Sequence, residues 1–149
     1  MIGWAAATGS VTLESVALFA IIFVWTPPHF WALALFKCAD YGRAGVPMMP
    51  NVKGTQRTRL EIFVYSVLNV PICVSPTLLG FEGWIYGAIA LASSLFMLWL
   101  AYDVWQDSKG RDKDKAAKKL FGYSILHLFL LFGVIVLDHG ILRHFGLSL

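Results

Sequence analysis

The sequence predicts an all-α integral membrane protein with four transmembrane helices, on three observations: an apolar composition, four long apolar runs, and basic residues gathered between those runs. Of its 149 residues, 58% are hydrophobic and 14% charged, against roughly 45–50% and about 25% in a soluble domain. Lipid is therefore the expected solvent. A spanning helix needs about 20 mostly apolar residues, and the runs Thr12 to Phe36, Ile62 to Leu79, Trp84 to Tyr102 and Leu120 to Leu137 qualify.

The net charge of +3 does not indicate nucleic acid, because the basic residues form no soluble face. Lys37, Arg43, Lys53, Arg57 and Arg59 lie between the first and second runs, and Lys109, Arg111, Lys113, Lys115, Lys118 and Lys119 between the third and fourth; Arg143 stands apart. With four crossings both loops share one side of the membrane, which the positive-inside rule makes cytoplasmic. The termini and the Gly80-Phe81-Glu82-Gly83 turn then face outward.

Each element has its own signals within what reads as a single membrane domain, residues 1–149. The opening Met1 to Gly9 reads as a loop or helix end inside a longer protein. Pro27 and Pro28 in the first span predict a kink near Val24 to Thr26, since proline removes an amide donor and crowds the preceding turn. Residues 37–59 read as a long loop, and the lysine-rich stretch 107–119 as a solvated, partly helical link. In the second span Glu61, Tyr65 and Asn69 recur four apart, on one helical face. The third span is the plainest, with only Ser93 and Ser94 polar at mid-membrane; the fourth carries Tyr123 and His127. Cys38 and Cys73 have no metal-like or redox spacing, and no disulfide is expected between them.

The most specific stretch runs from Trp25 to Pro50. It contains Trp25-Thr26-Pro27-Pro28-His29-Phe30-Trp31, then Asp40-Tyr41. This stretch closely resembles the signature of the protoheme IX farnesyltransferases, within the UbiA-type intramembrane prenyltransferase superfamily. The likeness continues through Asn51-Val52-Lys53-Gly54, the Tyr65 region and Gly122-Tyr123-Ser124-Ile125. It implies that the four spans are the C-terminal part of a larger bundle of about nine helices, in the inner membrane of a bacterium. It also implies an activity: moving the farnesyl group of farnesyl diphosphate to a vinyl group of protoheme IX (heme B), to give heme O. Heme B would be substrate, not cofactor; the other partners are membrane lipids, with no nucleic acid.

That chemistry demands stabilisation of a departing diphosphate, so the resemblance implies Mg²⁺ shared between carboxylates and phosphate oxygens and cations around it. Asp40 is the candidate metal ligand and, with Tyr41 and His29, a candidate catalytic residue. Lys37, Arg43, Lys53 and Arg57 are candidate phosphate contacts, and Trp25, Trp31, Tyr65 and Asn69 candidate walls for the apolar substrates, together with Phe30. Aromatic faces there can stabilise an allylic cation.

Each residue also has a plainer reading. Asp40 can be an interface ion pair, the cations can merely set topology, and the aromatics can be packing. Glu61, Tyr65 and Asn69 can satisfy one another. His29, about 12 Å along the helix from Lys37 at 1.5 Å per residue, is either a site residue or the partner of a carbonyl freed by proline. At His127 the resemblance implies an aromatic residue such as tyrosine more often, and so a packing or hydrogen-bonding position more than a heme ligand.

The first aspartate-rich motif of such prenyltransferases has no counterpart in this sequence. The expectation is therefore a chain lacking the N-terminal half of the enzyme and inactive alone. A competing reading is a heme-carrying electron-transfer subunit ligated by His29 and His127; a transporter half is less apt, because no pair of interrupted helices repeats.

Overall fold

The computed structural model describes residues 1–107 and 115–138, and every regular element among them is helical. In chain order these are α1 (Ile2–Thr8), α2 (Leu13–Phe36), α3 (Cys38–Arg43), α4 (Met49–Lys53), α5 (Thr55–Leu78), α6 (Trp84–Gln106) and α7 (Lys115–Leu137). Four of them, α2, α5, α6 and α7, are long and apolar enough to cross a membrane. Lys109, Arg111, Lys113 and Arg143, with most of the expected link between the third and fourth spans, lie outside the described residues.

The four long helices form a ring. Its main contacts join α2 to α5, α5 to α6, α6 to α7 and α7 back to α2. Two apolar layers fill the interior. One layer centres on Ala32, Ile62, Met97, Ala101 and Leu120, and the other on Ile21, Cys73, Tyr86, Ala90 and Leu131. Large apolar side chains also cover the outside, with Trp84 83%, Phe129 76% and Val136 68% exposed. In water that would be a liability, whereas in lipid it is the expected complement.

The helices outrun the apolar runs that announce them. α5 begins at Thr55 instead of Ile62, α6 continues to Gln106 past Tyr102, and α7 begins at Lys115 instead of Leu120. Hydropathy marks the lipid boundary, while backbone hydrogen bonding continues into the polar turns beyond it. For the same reason 37–59 is not an extended loop but α3, α4 and the first turn of α5. Arg59 is consequently buried inside the fold, donating to the Val104 carbonyl at 2.7 Å with Asp107 at 3.8 Å, where the sequence suggested a loop charge.

Proline is absorbed without interrupting a helix. α2 is continuous from Leu13 to Phe36 through Pro27 and Pro28, so the expected kink near Val24 to Thr26 is no break in the element. In α5, Pro76 leaves the Ile72 carbonyl without its usual amide donor, and the Ser75 hydroxyl donates to that carbonyl at 2.7 Å. The chain then reverses at Gly80, whose φ of 78° lies in the left-handed region that glycine tolerates. The Pro76 carbonyl accepts from the amides of Phe81 and Glu82, closing the turn into α6.

α5 and α6 meet closely where Gly87 faces Thr77. A Cβ on Gly87 would lie 2.9 Å from Thr77 Oγ1 and 3.0 Å from its Cγ2. Gly87→Ala should therefore overpack this crossing and lower stability by about 1–3 kcal/mol, read as a lower melting temperature in detergent. Thr77→Ala in the same chain should recover part of the loss; an unchanged melting temperature in the single variant would show that the helices separate freely there.

Candidate functional site

The sequence candidates fall into three groups. The first lies on α3, which follows α2 after the single residue Lys37. Helical spacing puts Lys37 and Arg43 three residues either side of Asp40, so both reach it: Lys37 Nζ is 3.2 Å from Oδ2 and Arg43 Nη2 is 2.5 Å from Oδ1. The Arg43 guanidinium, and after it the Lys37 ammonium, hold the exposed carboxyl below the usual carboxylate range. Tyr41 is half-buried beside them, and its carbonyl accepts from the Val46 amide at 3.0 Å. The Cys38 thiol donates to Asn51 Oδ1 at 2.7 Å, linking α3 to α4.

Lys53 and Arg57 sit apart from that cluster. They line a cleft of about 500 Å³ with Gln56, Arg59, Leu60 and Trp105, and Arg57 is engaged by Glu61 at 2.7 Å. Among the described residues no hydrogen bond or ion pair joins the two cationic groups. No set of three His, Cys, Asp or Glu side chains able to hold a metal ion occurs there either. Asp40 thus offers one carboxylate and not a cage. That fits Mg²⁺ of the kind that is bound through one or two carboxylates and substrate phosphates.

The second group lies within the membrane span, on the side of α2 that faces α7. Trp25 and His29, one turn apart, stack with ring centroids 4.4 Å apart and planes at 18°. Phe121 from α7 stacks on His29 at 4.6 Å and 21°. Ser124 binds both α2 residues: its carbonyl accepts from Trp25 Nε1 at 2.8 Å, and its hydroxyl oxygen is 2.7 Å from His29 Nδ1. The partner of His29 is therefore a side chain of the neighbouring helix and not a carbonyl freed by Pro27 or Pro28. Phe30 is half exposed, its ring edge-on to His29 at 5.4 Å. Trp31 points elsewhere, packing edge-on against Tyr65 of α5 at 5.4 Å.

The third group is the interior. Glu61, Tyr65 and Asn69 do not act as one stripe: Glu61 pairs with Arg57, Tyr65 meets Trp31, and Asn69 is buried. Steps of four residues at 3.6 per turn rotate about 40° each, enough over two steps to carry Asn69 from the edge into the core. There it meets His127 Nε2 at 3.2 Å. His127 is fully buried, and its Nδ1 lies 2.7 Å from Ser93 Oγ, which is in turn 2.8 Å from the Tyr123 hydroxyl. Cys73 Sγ is 3.7 Å from His127 Nε2. With both ring nitrogens engaged, His127 is a hydrogen-bonding residue, and the pairing of His29 with His127 as two heme ligands finds no support. Ser93 and Ser124, noted in the sequence as a mid-span polar residue and as part of the Gly122–Ile125 run but not as site residues, are the hydroxyls on which these arrangements turn. Their only sequence signal is position, at mid-span and beside the Tyr123–His127 pair.

Comparison with known proteins agrees with this architecture. The chain is 52% identical to a protoheme IX farnesyltransferase of Parvibaculum lavamentivorans, over 93% of this chain and 43% of that one. It is 56% identical to the protein of the same name from Beijerinckia indica, over 93% and 43%, and 54% to that of Methylobacterium nodulans, over 95% and 44%. The chain thus spans less than half the length of these curated relatives. No solved structure matches it significantly. The UbiA prenyltransferase family matches residues 1–136, which takes in the four spanning helices save the last residue of α7 and every candidate site residue; this chain is an integral membrane protein of the UbiA prenyltransferase family.

Proposed function

We propose that the chain is part of a protoheme IX farnesyltransferase, joining the farnesyl group of farnesyl diphosphate to a vinyl group of protoheme IX to give heme O. The observation that carries this reading is identity above 50% to proteins of that name across nine-tenths of the chain, with the Trp25 to Pro50 motif inside the matched span. The catalytic set on this chain is Asp40, Tyr41 and His29, with Asp40 as the metal-site carboxylate. Mg²⁺ bound with the diphosphate would neutralise negative charge on the leaving oxygen.

The chain's own residues supply the rest. Lys37 and Arg43 flank Asp40 and exchange an exposed carboxylate for phosphate oxygens at little cost, since solvent-exposed pairs contribute little. Lys53 and Arg57 extend the cationic surface along the same end of the bundle. Trp25, Trp31, Tyr65 and Asn69 belong to the wall that holds the apolar substrates away from water. The remaining carboxylates of the diphosphate cradle come from an N-terminal half of the enzyme, since prenyl transfer of this type draws on two acidic motifs. The membrane is the inner membrane of a bacterium, with α3 and α4 on the cytoplasmic side, as the Lys37 to Arg59 cluster and the positive-inside rule suggest.

Three outcomes test this. For topology, Thr55→Cys in a Cys38→Ser background should resist an impermeant thiol reagent in intact cells, whereas Ser10→Cys should react; the opposite labelling would reverse the orientation.

For activity, cells lacking heme O synthesis should regain heme O when this chain is co-expressed with the N-terminal half of one of its relatives, and not with the chain alone. Asp40→Asn should lower that product by two or more orders of magnitude, roughly the weight of a metal or charge-stabilising group in transfer chemistry. Near-normal heme O from Asp40→Asn would remove it from the site.

For charge, the folded pKa of Asp40 lies below its unfolded value, so the ion pairs persist above the ordinary carboxylate pKa and are lost as pH falls through the folded one. Carbon NMR of labelled aspartate should find the Asp40 midpoint below the ordinary value. It should rise when Lys37 and Arg43 are both changed to Ala, and a midpoint that stays put would refute the ion-pair assignment.

A further inference from the structure

The hydrogen bonds around Ser124 fix the proton on His29. The Ser124 hydroxyl donates its single hydrogen to the Phe121 carbonyl at 2.7 Å, a backbone contact within its own helix. Its oxygen can then only accept from His29 Nδ1, 2.7 Å away. The ring is thereby held with hydrogen on Nδ1 and a lone pair on Nε2. Trp25 covers one face and Phe121 the other, and among the described residues none hydrogen-bonds Nε2. His29 is only half-buried. With both faces and the Nδ1 edge covered and Phe30 against the rim at 5.4 Å, Nε2 is the one ring nitrogen left without a hydrogen-bond partner among the described residues.

We infer that His29 Nε2 is a ligand for the iron of the porphyrin substrate, seating the face of protoheme IX across the edges of the Trp25–His29–Phe121 stack. This rests on the reading of protoheme IX as substrate. The support is geometric and chemical. A metal-ligating histidine characteristically gives its other N–H to a neighbouring acceptor, which fixes tautomer and ring orientation, and Ser124 does this here. Neutral imidazole nitrogen is also a standard iron ligand. Because the Trp25 and Phe121 planes lie within 18° and 21° of the imidazole, a porphyrin bound through Nε2 would meet both aromatics edge to face, the favoured T-shaped arrangement. Iron ligation at His29, about 12 Å along the helix from Lys37 at 1.5 Å per residue, leaves the porphyrin rim free to reach toward the Asp40 end. By binding the substrate itself, His29 places the vinyl group.

The test is a titration of the 149-residue chain in lipid nanodiscs, with ferric protoheme IX and, in parallel, with metal-free protoporphyrin IX, followed by visible absorption and low-temperature EPR. The wild-type chain should give the spectrum of histidine-ligated iron. His29→Gly should lose that signature and bind ferric protoheme at least about tenfold more weakly, since loss of even an outer-shell partner of a ligand costs that much. Its affinity for the metal-free porphyrin should fall far less, which separates loss of the ligand bond from loss of the fold, and added imidazole should restore the ligated spectrum. Absence of histidine-ligated iron in the wild type, an unaltered spectrum in His29→Gly, or an equal loss of both porphyrins would each overturn the assignment. The titration contains no farnesyl diphosphate, so its outcome separates from that of the heme O assay: heme O without ligation removes the ligand and keeps the reaction, and ligation without heme O does the reverse.

Discussion

One constraint shapes this bundle: in hydrocarbon, a polar group without a partner inside the protein has none. His127 is where the constraint is met most fully. From α7 it reaches Asn69 on α5 and Ser93 on α6, so that one ring ties three of the four spanning helices between the two apolar layers. Individual hydrogen bonds of this kind contribute only about 0.6 kcal/mol on average in membrane bundles. Leaving a buried partner bare costs about 1–3 kcal/mol. The asymmetry matters more than the gain: apolar packing has no rotational preference in lipid, whereas the bonds among Asn69, Ser93 and His127 form in one register of the three helices.

α7 carries that register to the outside of the core. Tyr123 and His127, one turn apart, face Ser93, while Phe121 and Ser124 on the adjoining face hold His29 and Trp25 of α2. A rotation of α7 that broke the interior bonds would also turn Ser124 away from His29. The tautomer of His29 is therefore maintained by the same packing that keeps the bundle closed, and the candidate site needs no separate scaffold.

The spans themselves were legible because hydropathy reports the solvent directly: Thr12 to Phe36 differs from α2 by a single residue. Their polar extensions were not, since Thr55 to Glu61 and Lys115 to Lys119 form helix without being apolar, and Arg59 is buried by a tertiary contact with α6 that no local pattern announces. The ion pairs of Asp40 follow from spacing within one helix. The partner of His29 does not, because Ser124 lies 95 residues away in sequence. Serine is also ambiguous by chemistry: its hydroxyl can satisfy itself on its own helix, as Ser66 does with the Ile62 carbonyl, so nothing in the sequence separates Ser93 from Ser94 until the opposing helix is in place.

The two ends of α2 place opposite demands on the site. Near Lys37, Asp40 and Arg43 the side chains are exposed, and water screens their attraction, so the cluster contributes little to holding the fold together and can rearrange around an incoming anion. Around His29 the ring is clamped by two aromatic faces and one hydrogen bond, and any reorientation would sacrifice all three contacts. The transfer proposed above, between a charged diphosphate and an apolar ring system, needs this division. The end that meets the anion must yield to it, while the end that orients the apolar partner must not, because misplacement of reacting atoms by even about 1 Å can cost two orders of magnitude in rate. Thus α2 combines a compliant ionic mouth with a rigid aromatic socket, and the spacing between them is set by the continuous helix that Pro27 and Pro28 leave unbroken.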